Sequence, residues 1–177
     1  MRRWLTIMIV TSALALLLVR ALHGRGEALE ALARCGTIQS DAPIKASVEI
    51  VIQAPVKKVW NLLISVNDWP KWQTAIKEAH IDGPVASGTT FTWSTGAADI
   101  HSKLALVTPQ QQIAWTGSAL NGHAVHVWKL ERLPGNATRV ITNESMSGFL
   151  LTRFYSSEEL ESSDRFWLDR LKHEAER

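Results

Sequence analysis

The sequence predicts an α+β domain running from Lys45 to the C-terminus: one strand, two short helices, six further strands and one long helix. Three observations predict it. Apolar and polar residues alternate in KASVEIVIQ, residues 45–53, the period-2 signature of a strand with one buried face. Six more strand-like stretches follow near 76–82, 89–95, 98–107, 112–119, 123–132 and 138–146, separated by turn residues. The segment 150–175 then returns to helical period, with Leu160, Ser163, Trp167, Leu168, Leu171 and Ala175 on one face and charges on the other.

A chain of 177 residues is long enough for one domain with a real core. Hydrophobic content of 46% and charged content of 20% are globular values and exclude wholesale disorder. The formal charge is +2, but Arg2, Arg3, Arg20 and Arg25 put +4 on the first 25 residues and leave −2 on the rest. A mildly acidic domain without a basic stripe argues against nucleic acid as a partner. The lone Cys35 cannot form an intramolecular disulfide and leaves the redox compartment unspecified.

The N-terminus reads MRRWLTIMIVTSALALLLVR: a charged start, an apolar run from Trp4 to Val19, then Arg20. Sixteen helical residues span roughly 24 Å, short of a hydrocarbon core of about 30 Å. Ala21 and Leu22 extend the run, and the flanking arginines can snorkel. Residues 1–23 are therefore expected to be either a transmembrane anchor contacting the bilayer through residues 4–22 or the apolar region of a signal peptide. RALHG lacks a small-x-small cleavage site, which favours the uncleaved anchor; cleavage would leave the domain exported. Arg34 stands where a lipoprotein signal before Cys35 needs a small residue. Residues 24–44 read as a linker, in which GEALEALAR can form a short helix and CGTIQSDAP is turn-rich.

Within the domain, Val48, Ile50 and Ile52 mark the inner side of the first strand. Pro55 suits the first turn of the next helix, whose Val56, Val59, Trp60 and Leu63 share a face. Pro70 interrupts that helix and starts a second short one; Trp69 and Trp72 beside it either pin the turn to the sheet or form a pocket lip. Thr95-Gly96-Ala97-Ala98 closes a hairpin that sets Phe91 and Trp93 with Ser102 and Ile100. Asn121-Gly122, a favoured two-residue turn, is expected to pair Leu120 with His123, Gly117 with His126, Trp115 with Trp128 and Ile113 with Leu130. Ile113, Trp115, His126, Trp128 and Leu130 then lie on one face, and Val125, Val127, Lys129 and Glu131 on the other. His123 and His126, three apart on a strand, point to opposite faces and cannot chelate one metal. No other histidine has ligand spacing, so no metal site is expected, and no cofactor.

Taken in order, APVKKVW at 54–60, Trp-Pro-x-Trp at 69–72, Trp115-Thr116-Gly117, His126-Val127-Trp128 and the series Thr138, Glu144, Gly148 resemble the START-like superfamily, which includes polyketide cyclase/dehydrase-like and lipid-transfer proteins. The resemblance covers roughly residues 45–175 and rests on the ordered series rather than on any single motif. It implies a helix-grip fold: a seven-stranded antiparallel sheet curled around the C-terminal helix, with an apolar cavity between them.

The inner face expected to line that cavity carries Phe91, Trp93, Ile113, Trp115, Trp128 and Leu130, with Ser102 and Thr142 as hydroxyls. The competing expectation is a filled core, because aromatic stripes on strands usually pack solid. If Val140, Thr142, Glu144 and Met146 also face inward, Glu144 falls opposite His126 or Trp128. Such a buried carboxyl–imidazole pair is a candidate acid/base or ligand anchor, or simply a satisfied structural hydrogen bond. The leading expectation is a membrane-tethered, non-catalytic module that binds a hydrophobic small molecule or lipid. The alternative is a cyclase/dehydratase-like enzyme using His126 and Glu144. A third reading, a ligand-free interaction module, requires an exposed apolar patch on the outer face. Hydrolase, metalloprotease, phosphate-loop and Cys-x-x-Cys motifs do not occur.

Overall fold

A computed structural model describes residues 24–120 and 122–177. The apolar run expected to anchor the chain, and Asn121 of the expected turn, lie outside them. Among the described residues no helix is long and apolar enough to cross a membrane.

Residues 24–34 are helical (α1). The domain proper follows as β1 (Ile44–Ile52), α2 (Val56–Ile64), a single 3₁₀ turn, α3 (Trp69–Trp72), β2 (Glu78–Ile81), β3 (Thr90–Ser94), β4 (Asp99–Thr108), β5 (Gln112–Ala119), β6 (Gly122–Leu133), β7 (Ala137–Ser147), α4 (Leu151–Phe154) and α5 (Ser157–Ala175). All seven strands form one antiparallel sheet in the order β1-β7-β6-β5-β4-β3-β2. β1 closes the order against β7, and the chain then crosses through α2 and α3 to the opposite edge. The sheet curls so that its concave face receives α2, α3 and α5. This is the helix-grip fold.

The concave face is solid along part of its length. Val48, Ile52, Val59, Leu63, Ile113, Trp128, Leu130, Val140, Leu168 and Leu171 are buried in one cluster with Trp69 and Trp72. The two tryptophans beside Pro70 thus pin α3 to the sheet. Trp69 Nε1 donates to the Leu63 carbonyl at 3.0 Å, and its ring meets Trp167 edge-on at 5.1 Å.

The convex face carries a second, smaller cluster. Leu29 and Ala33 of α1 cover Ala105, Ala114, Val125 and Val127. The short helix foreseen within the supposed linker therefore lies on the outside of the sheet, where Lys103 Nζ meets Glu30 at 2.9 Å. The valines of β6 that the hairpin parity sends outward are buried beneath it, so among the described residues they leave no apolar patch there for the ligand-free interaction reading. A bulge in β4 between Leu104 and Leu106 keeps Ala105 and Leu106 in this outer cluster, and Val107 packs against the inner one.

Two expectations need correction. The β5–β6 hairpin pairs Ala119 with Gly122, Gly117 with Ala124, Trp115 with His126 and Ile113 with Trp128, two residues out of the expected register. Leu120 takes a left-handed conformation, φ 52°, at a cost of about 1–2 kcal/mol. Packing outweighs the turn preference: the adopted register brings the Trp115 and His126 rings to 4.9 Å. A slip of two preserves every face assignment, because side-chain direction has period 2.

The second correction concerns the C-terminal helix, which is split. Ser156 accepts from the Glu159 amide at 3.2 Å while Glu159 accepts from the Ser156 amide at 2.8 Å, a reciprocal cap that starts α5 afresh after α4. Its buried face contains Asp164, where Ser163 was expected; Ser163 is exposed.

Candidate functional site

Where the solid core stops, the sheet and α5 stand apart and enclose a cavity of about 520 Å³. Trp93, Ile100, Trp115, Met146, Leu160 and Trp167 supply apolar walls, and His126, Glu144, Asp164 and Tyr155 supply polar ones. A larger depression, about 800 Å³, lies on the convex side between α1 and β2–β4, lined by Glu30, His80, His101 and Lys103. We take the inner cavity as the site, because only it combines aromatic walls with buried ionisable groups.

Of the residues expected to contact a ligand, Trp93, Ser102, Trp115, His126 and Glu144 line this cavity. Trp93 Nε1 donates to Ser102 Oγ at 3.1 Å, which fixes one wall. Phe91, Ile113, Trp128 and Leu130 are buried in the solid part of the face, so for them the filled-core expectation holds. Thr142 is buried behind His126; its Oγ1 lies 2.6 Å from His126 Nε2 and orients the ring.

His126 and Glu144 face each other across the β6–β7 ladder. Their Nδ1 and Oε2 atoms are 3.3 Å apart. The sequence reading missed the third member: Asp164 of α5 places Oδ1 3.8 Å from His126 Nε2. Its Oδ2 is buried without a hydrogen-bond partner. A signal did exist, since Asp164 lies four residues from both Leu160 and Leu168 on the buried stripe of the helix. Tyr155 and Ser163 were missed as well; their hydroxyl oxygens are 2.9 Å apart at the cavity wall.

Electrostatics follow from burial. Desolvation lowers the His126 imidazolium to about 3, so the ring is neutral. Desolvation raises Glu144 well above the ordinary carboxyl range, and the charge and hydrogen bond of Asp164 raise it further. Asp164 is itself pushed up to about 7 by burial, against the lowering effect of its hydrogen bond with Glu144. Both carboxyls are raised, so the pair keeps a proton to higher pH than free carboxyls do. Tyr155 is raised chiefly by burial, against the hydrogen bond from Ser163. The cluster thus holds a shared proton that can be gained or lost near neutrality.

His126, Glu144 and Asp164 also offer three donor atoms within 4.8 Å of one another, a set able to hold a divalent cation. It comes from three different elements, which is why histidine spacing along the chain gave no sign of it.

The family model described as polyketide cyclase / dehydrase and lipid transport matches residues 43–175. Among solved structures, the protein jhp0584 from Helicobacter pylori superposes with a TM-score of 0.68 at 19% identity, over 77% of this chain and 90% of that one. A START superfamily protein from Mycobacterium smegmatis gives 0.62 at 11% identity, over 75% and 97%. The Zhui aromatase/cyclase from Streptomyces sp. R1128 gives 0.61 at 16% identity, over 75% and 93%. At these identities the likeness is one of fold. No curated protein matches the chain in sequence. A family match over most of the chain, on a seven-stranded sheet gripping its last helix, makes this protein a member of the polyketide cyclase / dehydrase and lipid transport family.

Proposed function

We propose that this protein binds a hydrophobic small molecule or lipid in the cavity between the sheet and α5, and that residues 4–22 tether it to a membrane. The observation that carries the binding reading is the cavity itself. About 520 Å³ of space with mainly apolar walls has the buried His126, Glu144 and Asp164 among its polar lining residues. The walls reward burial of an apolar body, and His126, Glu144 and Asp164 select a hydroxyl or carbonyl on it. The tether is supported by the apolar run Trp4–Val19 and its arginine flanks.

The test is native mass spectrometry of the full chain purified from its own host, beside the variant Gly117→Ile. Gly117 lines the cavity, and a Cβ there meets Ile100 Cγ2 at 3.5 Å, an ordinary contact; an unchanged cooperative thermal transition checks that the rest of the isoleucine is accommodated before its ligand content is read. The expected result is a co-purifying apolar ligand whose affinity falls at least about tenfold in the variant, equivalent to about 1.4 kcal/mol. An empty wild-type cavity that takes up no lipid or aromatic probe would sink the proposal.

One observation favours a second reading, acid–base catalysis on a cyclase or dehydratase substrate. Asp164 titrates near 7 beside a protonated Glu144 and a neutral His126, which matches a general base to a neutral medium. The fold-level likeness to an aromatase/cyclase points the same way. On this reading Asp164→Asn and Glu144→Gln each lower turnover by about 10²–10⁴-fold while ligand uptake persists. Turnover unchanged in both variants would reject the cluster as its source.

A further inference from the structure

We propose that the rim of the cavity is a bilayer-contacting face, so that the mouth opens onto a lipid surface. The proposal rests on the tether above and adds which side of the domain it holds against the membrane.

Among the described residues, the exposed large hydrophobic side chains are Val51, Leu120, Phe149, Leu150, Phe154 and Phe166. All but Val51 lie on segments that contribute lining residues to the cavity. Leu120, 94% exposed, is at the hairpin tip between the lining residues Ala119 and Gly122. Phe149, Leu150 and Phe154 flank the lining residue Leu151 of α4, and two of them are 80% and 81% exposed. Phe166 lines the mouth itself. The hairpin and α4 are neighbours, since a Cβ on Gly122 would stand 3.3 Å from Leu151 Cδ2. Exposed apolar side chains gathered on one rim mark a contact surface.

The start of α1 identifies what that surface contacts. Arg25 Nη2 donates to Ser147 Oγ at 3.0 Å. Ser147 is the last residue of β7, two before Phe149. The chain therefore reaches the domain beside the rim, directly after its apolar run. With residues 4–22 in a bilayer, the three residues from Leu22 to Arg25 could reach at most about 11 Å. A bilayer holding residues 4–22 then lies within about that distance of the backbone at Arg25, whose side chain meets Ser147 beside the phenylalanines. Arg153, next to Phe154, makes no ion pair among the described residues and is free to meet a phosphate headgroup. The first turn of α5 beside the rim carries the acidic Glu158 and Glu159, so contact is expected to be apolar and to occur on zwitterionic lipid.

The experiment uses the full chain in phosphatidylcholine vesicles, with Cys35→Ser and one new thiol at a time: Leu120→Cys, Phe154→Cys, or Val51→Cys as the control on a distant strand edge. All three positions are exposed, so the fold tolerates a label. Each thiol carries an environment-sensitive fluorophore, quenched either by nitroxide-bearing lipid or by aqueous iodide. Lipid nitroxide is expected to remove most of the emission at positions 120 and 154 and little at 51, with iodide giving the reverse. Chains that float with the vesicles but answer to iodide at all three positions overturn the contact face and leave the tether standing. Labels at 120 and 154 shielded from both quenchers mean that protein covers the rim, either the N-terminal segment or a second copy, and also overturn it. Chains that do not float overturn face and tether together, while cavity binding, read by ligand uptake, stands apart.

Discussion

Asp164→Asn stabilises the fold at pH 8 by an amount on the order of a few kcal/mol and by less than half as much at pH 5. Asp164 is pushed up to about 7 from an ordinary value of 3.8, chiefly by burial. A carboxyl raised in the folded state binds a proton that the unfolded chain has released. Its contribution is complete below the unfolded value and is lost as pH rises through the folded one. Glu144, raised by burial and by Asp164, acts in the same direction. His126 opposes them: lowered to about 3 by burial, it stabilises above 6.5 and loses that stability as pH falls toward 3. Above 6.5 only the carboxyls count, so stability falls from pH 6.5 to 8. Between about 4.5 and 6.5 two carboxyls outweigh one imidazole, and below that range the imidazole takes over. The cluster is most favourable in mildly acidic solution, and Asn at 164 removes the charge that costs stability above neutrality.

Thermal unfolding at both pH values checks this. A gain of about 2 kcal/mol at pH 8 raises Tm by roughly 4–8 °C for a chain of this size. An equal or lower Tm at pH 8 would show that ionised Asp164 has a stabilising partner, and the shared-proton description would fail. A residue that weakens its own fold near working pH marks a site kept for chemistry or binding rather than for stability.

Trp69→Ala costs about 3–5 kcal/mol, the largest loss expected of any single truncation at this end of the core. The indole is 1% exposed and donates to Leu63 O. It stands edge-on to Phe91 at 5.7 Å, Trp93 at 6.3 Å and Trp167 at 5.1 Å. Removing it opens a void between α3, α5 and the sheet and leaves a backbone carbonyl unpaired. Trp93→Ala, on the cavity wall and partly exposed, costs less and changes ligand uptake instead. Denaturant titration separates the two as a shift in midpoint at constant slope. A loss under about 1 kcal/mol at Trp69 would mean that this corner is loosely packed, contrary to the density expected of a protein interior.

How much of this was legible in the residues follows from the range of the forces involved. Strand alternation, the helical stripe and the turn dipeptides are local, so the element order, the faces of the hairpin strands and a place for Glu144 opposite either His126 or Trp128 could be read from spacing. That reading even survived a wrong hairpin register, because pairing Trp115 with His126 rather than Trp128 shifts the ladder by two and leaves each side chain on its own face. The ordered motifs from Ala54 to Gly148 carried the curled sheet and its gripping helix. What spacing could not supply is where the inner face is solid and where it is hollow. Phe91 and Trp93 share a strand and a face, yet only Trp93 lines the cavity, because Trp69 and Trp115 arrive from other elements and pack edge-on against Phe91. Asp164 gains its role in the same way. An aspartate on an apolar helical stripe is visible in the sequence, but its partners and its proton depend on how α5 is turned when it docks. Side-chain direction is set by the neighbouring backbone, whereas cavities and shared protons are set by groups far apart in the chain that only the folded packing brings together.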